Sequence, residues 1–369
     1  MPATDSVSVG RAAGPALFHR YPGLVGRIPH CAFVPAPTPV EQLTLDASLP
    51  LWVKRDDHSC PLYGGNKPRK LEFVIGAALA RRAGRLVTSG GIGTNHGLAT
   101  TILGRSVGLA TTLVLVDQPV TDEVRLSLRL FASYGAEVRD GRTVPGALWQ
   151  GGRVLARAAL AGERPFLVAT GGSSPAGNLG FVSAGLELGE QVAAGALPEP
   201  ACVFLPVGTG GAIAGLAVGL RLAGLATRPV GVLVSDILPP SAAALAKRAR
   251  AVVRLLRRAD PGVPAVRLGA GDFELATGQL GPGYGAATDA AREAQRLAAE
   301  VGLGLETTYT AKALAEVLAR ARAGALPHAP VLFWNTFSSV DVVTNAPPFP
   351  PERLPPRLRA IAEGAAQPR

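Results

Sequence analysis

The chain has 369 residues, 47% hydrophobic and 17% charged, which is enough apolar material for two packed domains and excludes a disordered chain. Lys+Arg number 37 against 27 Asp+Glu, a formal charge of +10, yet only five of the basic residues are lysine, so the excess is an arginine bias that runs with abundant Ala, Gly and Pro. No aromatics interleave with the basic runs to stack on bases, no apolar run spans a bilayer uninterrupted, no signal peptide is visible, and three scattered cysteines make no disulfide framework; a cytoplasmic protein with neither nucleic-acid nor membrane partners is expected.

In chain order, residues 1–35 are rich in Pro, Gly and Ala and are expected to be irregular. A helix should follow Pro68 through the run LEFVIGAALARR. Leu86–Thr88 reads as a strand, Asn95–Val107 as a helix, Thr111–Val116 as a strand and Glu123–Tyr134 as a helix. Ala136–Arg139 and Phe166–Ala169 are strands, and Asn178–Ala194 is a helix. Val203–Pro206 is a strand, Ala212–Ala223 a helix, and Val230–Val234 and Val331–Trp334 are further strands. The basic run Lys247–Arg258 mixes apolar and basic positions as a solvated helix face does. Residues 345–369, with Pro347, Pro348, Pro350 and Pro351, are expected to be irregular. Strands separated by helices predict an α/β protein of mostly parallel sheets with right-handed crossovers, and no internal repeat is present.

Four constellations carry chemistry. In Gly64-Gly65-Asn66-Lys67-Pro68-Arg69-Lys70, two glycines let a ligand approach the backbone, and Pro68 suits a first helical turn. That puts Lys67 at a helix N-terminus, where the dipole disfavours a cation unless an anion or a covalent imine relieves it; an ordinary basic loop is the other reading. Three of the five lysines are Lys54, Lys67 and Lys70, and only an amine, not a guanidinium, can lose its proton. Ser89-Gly90-Gly91-Ile92-Gly93-Thr94-Asn95-His96 lies between a strand and a helix, where Thr94, Asn95 and His96 either bind a carboxylate or cap the helix.

Gly208-Thr209-Gly210-Gly211 lies between the strand VFLP and the helix AIAGLAVGL, the arrangement of an anion cup at a helix N-terminus. It is not a P-loop, and a dinucleotide reading survives only through Asp236 at the end of the next strand. Finally, Gly283-Tyr284-Gly285 and Glu306-Thr307-Thr308-Tyr309-Thr310-Ala311-Lys312 hold two of five tyrosines, able to donate protons or to pack with a hydrogen-bonded tip.

As an ordered set these segments resemble the fold-type II pyridoxal-phosphate enzymes, in particular the 1-aminocyclopropane-1-carboxylate deaminase and D-cysteine desulfhydrase family. The similarity runs from Pro37 to Ser339 and takes in VKRDD at Val53–Asp57, GGNKPRKLEF, SGGIGTNH, GGSSPAGNLGFVSAGLEL at 171–188, GTGGAIAG and ETTYTAKAL. The resemblance implies two domains, a larger one from 1–70 plus 171–369 and a smaller one over 71–170, and a homodimer. It implies pyridoxal 5'-phosphate as cofactor, with Lys67 as the Schiff-base lysine and Lys70, Gly208, Thr209, Gly210 and Gly211 at the phosphate. Asn66 and Asn95 would hold the cofactor, and Thr310 would approach its ring nitrogen and leave it largely unprotonated. Thr94, Asn95 and His96 would face the substrate carboxylate, and Tyr284 and Tyr309 the reacting centre.

Three positions depart from the family. Thr94 stands where Ser is usual, Thr310 stands where ring-opening deaminases carry Glu, and Asn335-Thr336-Phe337-Ser338-Ser339 replaces a glycine-containing turn. Phe337 is expected either to fill part of the pocket or to turn into the core. The implied activity is a lyase or deaminase of a small amino acid, by Cα deprotonation and β-elimination to a keto acid and ammonia, nearer to a desulfhydrase than to a ring-opening enzyme. A ring-opening deaminase, a β-replacement synthase and a catalytically silent cofactor-binding homologue are the alternatives.

Overall fold

The computed structural model describes residues 14–35, 37–46, 49–237 and 239–364; what was expected of residues 1–13 and 365–369 lies outside them. In chain order the elements are α1 (Ala16–Arg20), β1 (Val40–Leu45), β2 (Leu49–Lys54), α2 (Asn66–Ala80), β3 (Arg85–Gly91), α3 (Asn95–Ser106), β4 (Ala110–Val116), α4 (Asp122–Ser133), β5 (Glu137–Arg142), α5 (Val144–Leu160) and β6 (Pro165–Leu167). There follow α6 (Pro175–Ala193), β7 (Cys202–Val207), α7 (Gly211–Leu222), β8 (Arg228–Leu233), α8 (Ala242–Ala259), β9 (Glu274–Ala276), α9 (Asp289–Glu300), α10 (Thr310–Arg322), β10 (Val331–Trp334) and α11 (Pro356–Ala362).

The strands form a six-stranded sheet in the order β1-β2-β10-β7-β8-β9 and a four-stranded sheet in the order β5-β4-β3-β6. Only the β1–β2 hairpin is antiparallel; every other pairing is parallel. Alternation along β7 places Val203, Leu205 and Val207 in one apolar cluster and Cys202 and Phe204 in another, so both faces of the larger sheet are covered. A third cluster surrounds the smaller sheet. Ser and Thr start many of the helices: Thr94, Thr121, Thr143, Ser174, Ser241 and Thr288 each accept a first-turn N–H.

Helix α2 belongs to both cores. Its Phe73 packs with the larger sheet, while Leu71, Val74, Ile75 and Ala78 pack with the smaller, and the domain boundary expected at 70–71 falls inside this one helix. The terminal stretches expected to be irregular also contain helices. Ala16 and Leu17 of α1 are buried in the larger core. Leu358, Ile361 and Ala362 of α11 are buried in the smaller one, and the Ile361 and Ala362 carbonyls accept from Arg125 and Arg129. Pro356 opens α11 because its fixed φ suits a first helical position.

The VKRDD segment supplies a buried ion cluster. Lys54 Nζ donates to Glu187 Oε1 at 2.5 Å, and Arg69 forks onto Asp56, at 2.8 and 2.9 Å, and onto Glu187 at 2.8 Å. Trp334 Nε1 adds a bond to Asp56 Oδ2 at 2.7 Å. The cluster thereby ties β2, α2, α6 and β10 together. Burial pushes the Glu187 carboxyl up, but Arg69 and Lys54 pull harder and hold it at about 2. The stability this contributes is present above the unfolded carboxyl value of roughly 4.3 and is lost as pH falls through the folded value. Glu187→Gln should cost roughly 3–5 kcal/mol at neutral pH, because it leaves buried cations uncompensated. Denaturant titrations should show the gap from wild type narrowing as pH is lowered below 4, and a gap independent of pH would contradict the assignment.

Candidate active site

Every strand of the smaller sheet, and β7, β8 and β10 of the larger, leads at its carboxyl end to one cavity of about 590 Å³. Open parallel α/β sheets bind ligands at that end. The start of α2 forms part of the cavity wall. Lys67 and Lys70, three apart, share a helical face, while Arg69, two from Lys67, points the other way. One face therefore delivers two amines to the cavity, and the other delivers a guanidinium to the buried ion cluster.

Lys67 Nζ donates to Asn66 Oδ1 at 2.7 Å. Burial pushes this amine down to about 8, against the opposing pull of the Glu306 carboxylate. Gly65 caps α2 at φ +80°, a left-handed conformation that favours glycine. A Cβ there would lie 2.5 Å from Thr336 O and 2.7 Å from Phe337 O. Asn66 N donates to Thr336 O at 3.2 Å and Gly64 N to Ser338 Oγ at 2.9 Å. The unusual Asn335–Ser339 turn thus seats the loop that carries Lys67. Phe337 is half-buried, lines the cavity and belongs to none of the three apolar clusters.

Gly208, Thr209, Gly210 and Gly211 line the cavity at the N-terminus of α7, whose first-turn N–H groups have no intrahelical acceptor. The cradle is tight: a Cβ at Gly210 would clash with Leu245, and one at Gly211 with Ser173 Oγ and Asn178 Oδ1. Lys70 Nζ donates to Gly171 O at 2.8 Å and Ser173 Oγ at 2.9 Å, and Ser173 Oγ pairs with Thr209 Oγ1 at 2.5 Å. Arg248, from the basic face of α8, reaches the same cavity. Burial, then Lys67 and Arg248, push the Lys70 amine well below its ordinary value. The lining carboxylates Glu306 and Asp117 form no ion pair with Lys67, Lys70 or Arg248 among the described residues. Three basic side chains and a positive helix end therefore converge with no ion-pair partner at Lys70 or Arg248 among the described residues, which is the environment an anion requires.

After β3, Thr94 Oγ1 accepts from Gly97 N at 3.2 Å and so caps α3 while also lining the cavity. Asn95 opens that helix at the cavity. His96 Nε2 lies 3.1 Å from Thr88 Oγ1. Burial, then Lys67 and Lys70, push its imidazole well below its ordinary value, so it is neutral. Tyr284 and Tyr309 meet at a hydroxyl–hydroxyl hydrogen bond of 2.7 Å with rings edge to face. Burial raises the pKa of both, and the pair holds its protons. Asp236, which kept the dinucleotide reading open, accepts from Tyr284 N at 3.0 Å and so serves the tyrosine loop.

Thr310 was expected beside the cofactor's ring nitrogen. It is fully buried, is absent from the cavity wall, and its hydroxyl pairs with Glu306. Glu306 lines the cavity instead. Its carboxylate accepts from Thr308 N, Tyr309 N and Thr310 N at 2.8–2.9 Å, and burial outweighs those bonds to raise its pKa. A carboxylate therefore faces the cavity where a hydroxyl was expected. An acidic residue just before the helix TAKAL is a capping signal and offered the means of finding it. Ser173 and Arg248 carried no such signal, because only long-range contacts bring them here.

The electrostatics make a signed prediction. The rate at which cofactor-free protein takes up pyridoxal phosphate should rise with pH and level off above about 8, as Lys67 loses its proton. Glu306→Gln should move that midpoint to lower pH, because the carboxylate is what holds the amine up. Stopped-flow absorbance checks both, and an upward or absent shift would contradict the pairing.

The chain matches the family described as pyridoxal-phosphate dependent enzyme over residues 32–336. It is 34% identical over 337 residues to the nocardicin C-9' epimerase of Nocardia uniformis subsp. tsuyamanensis, covering 89% of this chain and 99% of that one. To the D-cysteine desulfhydrase of Salmonella typhimurium it is 34% identical over 304 residues, covering 79% and 88%. A solved structure described as an ACC deaminase homologue covers 88% of this chain and 95% of its own, with a TM-score of 0.73 at 27% identity. No helix among the described residues is long and apolar enough to cross a membrane. The convergent amines, the glycine cradle and these likenesses agree: the chain belongs to the pyridoxal-phosphate dependent enzymes of fold type II, related to the ACC deaminases and D-cysteine desulfhydrases, and its cofactor is pyridoxal 5'-phosphate.

Proposed function

We propose that this enzyme removes the Cα proton of a bound amino acid with Lys67 and then expels a β substituent, giving a keto acid and ammonia in the manner of a D-cysteine desulfhydrase. The observation that carries this reading is the half-buried Lys67 amine at the cavity, pushed down to about 8, with Asn66 as its hydrogen-bond partner. An amine so placed can lose its proton near neutral pH and act as a base.

The residues present fit the cofactor. The N–H groups of the Gly208–Gly211 cradle, with Thr209 and Lys70 braced by Ser173, would seat the phosphate, and Lys67 is the lysine that would hold the aldehyde carbon. Asn66 and Asn95 flank that lysine and the start of α3. When bound, the cofactor supplies an electron sink that acidifies the Cα–H of an attached amino acid.

The remaining chemistry belongs to the protein. Lys67 Nζ takes the Cα proton. The Cβ–substituent bond breaks with its electron pair on the leaving group, to which Tyr309 hands its phenolic proton, replenished through Tyr284; the released enamine takes up one water and gives the keto acid and ammonia. Thr94, Asn95 and the neutral His96 orient the substrate carboxylate at the N-terminus of α3.

A specific observation favours a second reading, epimerisation at Cα. The cavity holds two separate proton carriers, Lys67 and the Tyr284–Tyr309 pair, as inversion requires, and the 34% identity to an epimerase spans 99% of that relative. Product analysis separates the two. With D- or L-amino acids that carry a β leaving group, elimination predicts equal amounts of keto acid and ammonia. Lys67→Ala should lose that turnover by roughly 10²–10⁴. Recovery of the opposite enantiomer without ammonia would replace elimination with epimerisation.

A further inference from the structure

The cavity changes character from floor to mouth. Its lining holds a polar group at Lys67, Lys70, Thr209 and Tyr309, and the side chains exposed at its mouth are mostly apolar, with Asp117 and Thr170 among them. From the smaller sheet come Val144, Leu148 and Leu155, at helical spacing along α5, and Leu167 at the end of β6. From the larger sheet come Ile237 and Phe337. Leu148 is 73% exposed, Leu167 65% and Ile237 52%. The chain leaves this surface uncovered at the edge of its own site, and exposed apolar area beside a polar floor marks where an apolar ligand group is removed from water.

Between Leu148 and Leu155, α5 presents Gly151 and Gly152, which also line the cavity. A Cβ built at either would meet no atom within 4 Å, so packing within the fold does not require glycine there. Paired glycines weaken a helix interior. Their effect is a flat gap in an otherwise side-chain-bearing apolar face, of the kind a planar group can lie against. The one carboxylate near this wall, Asp117, accepts from Arg357 at 2.5 Å and is not free to recruit a cationic side chain.

We propose that the substrate is an amino acid with a bulky, ring-bearing apolar side chain, not a cysteine-sized one. Its amino and carboxylate groups bind at the polar floor, and its ring lies over Gly151–Gly152 between Leu148 and Leu155, facing Ile237 and Phe337. This rests on the reading that the enzyme deprotonates Cα; inversion needs nothing more, and elimination follows only where the ring-bearing side chain also carries a leaving group on Cβ. A small side chain would leave the mouth in water, whereas a ring fills it.

The test is exchange of the Cα proton in deuterium oxide, followed by NMR, with holoenzyme and single enantiomers of alanine, cysteine, leucine, phenylglycine and phenylalanine. The expected kcat/KM for phenylglycine or phenylalanine exceeds that for alanine at least tenfold. Gly151→Leu, which fills the gap, and Leu148→Ser, at an exposed position that leaves the core intact, should each lower that ratio fivefold or more. Exchange confined to alanine and cysteine overturns the proposal. So does a ratio unmoved in both variants when they keep the wild-type cofactor absorbance. Either result leaves Cα deprotonation standing. No exchange from any amino acid contradicts the deprotonation reading itself, and the proposal with it.

Discussion

A half-buried amine at the start of a helix gives up part of its solvation and opposes the helix dipole, and the rest of this molecule is arranged around that conflict. The Lys67 side of α2 faces the cavity, and the Arg69 side is clamped by Asp56 and Glu187 in a buried cluster that Lys54 and Trp334 complete. Because Lys67 and Arg69 are two residues apart on a helix, fixing one fixes the direction of the other. Both apolar cores grip the body of the same helix, so the amine cannot retreat toward solvent without disturbing both sheets.

The second consequence is a surplus of positive charge. Lys67, Lys70 and Arg248 face one cavity together with the N-terminus of α7. Burial and mutual repulsion depress Lys70 and His96. A phosphate group answers that surplus, and an aldehyde answers the depressed amine; a single cofactor supplies both. Glu306 opposes the depression of Lys67 from the far wall, anchored by the backbone N–H groups that begin α10.

Much of this was legible in the sequence, for physical reasons. Glycine runs between a strand and a helix announced the Gly208–Gly211 cradle and the Thr94–His96 turn, because local backbone chemistry suffices to build them. The resemblance implied Tyr284 and Tyr309 at one reacting centre; that their hydroxyls bond to each other is visible only in the structure. What escaped was set by distant contacts. The Asn335–Ser339 turn seats the Gly64–Asn66 loop, a role invisible without the fold. Thr310 yields the cavity wall to Glu306 because a helix-capping carboxylate draws the threonine hydroxyl onto itself. The terminal stretches hold α1 and α11 because buried leucines and isoleucine outweigh the prolines around them. Arg248 sits in a run that reads as a solvated face, and it reaches the cavity because its neighbour Leu245 packs over Gly210.

Lys67, alone among the five lysines, is proposed as the residue joined to the cofactor. Borohydride reduction of the yellow holoenzyme followed by peptide mass mapping tests it most directly. A phosphopyridoxyl group on the peptide containing Lys67, with Lys70 unmodified, is the expected result. Modification at Lys70, Lys312 or another lysine, with Lys67 untouched, would contradict it.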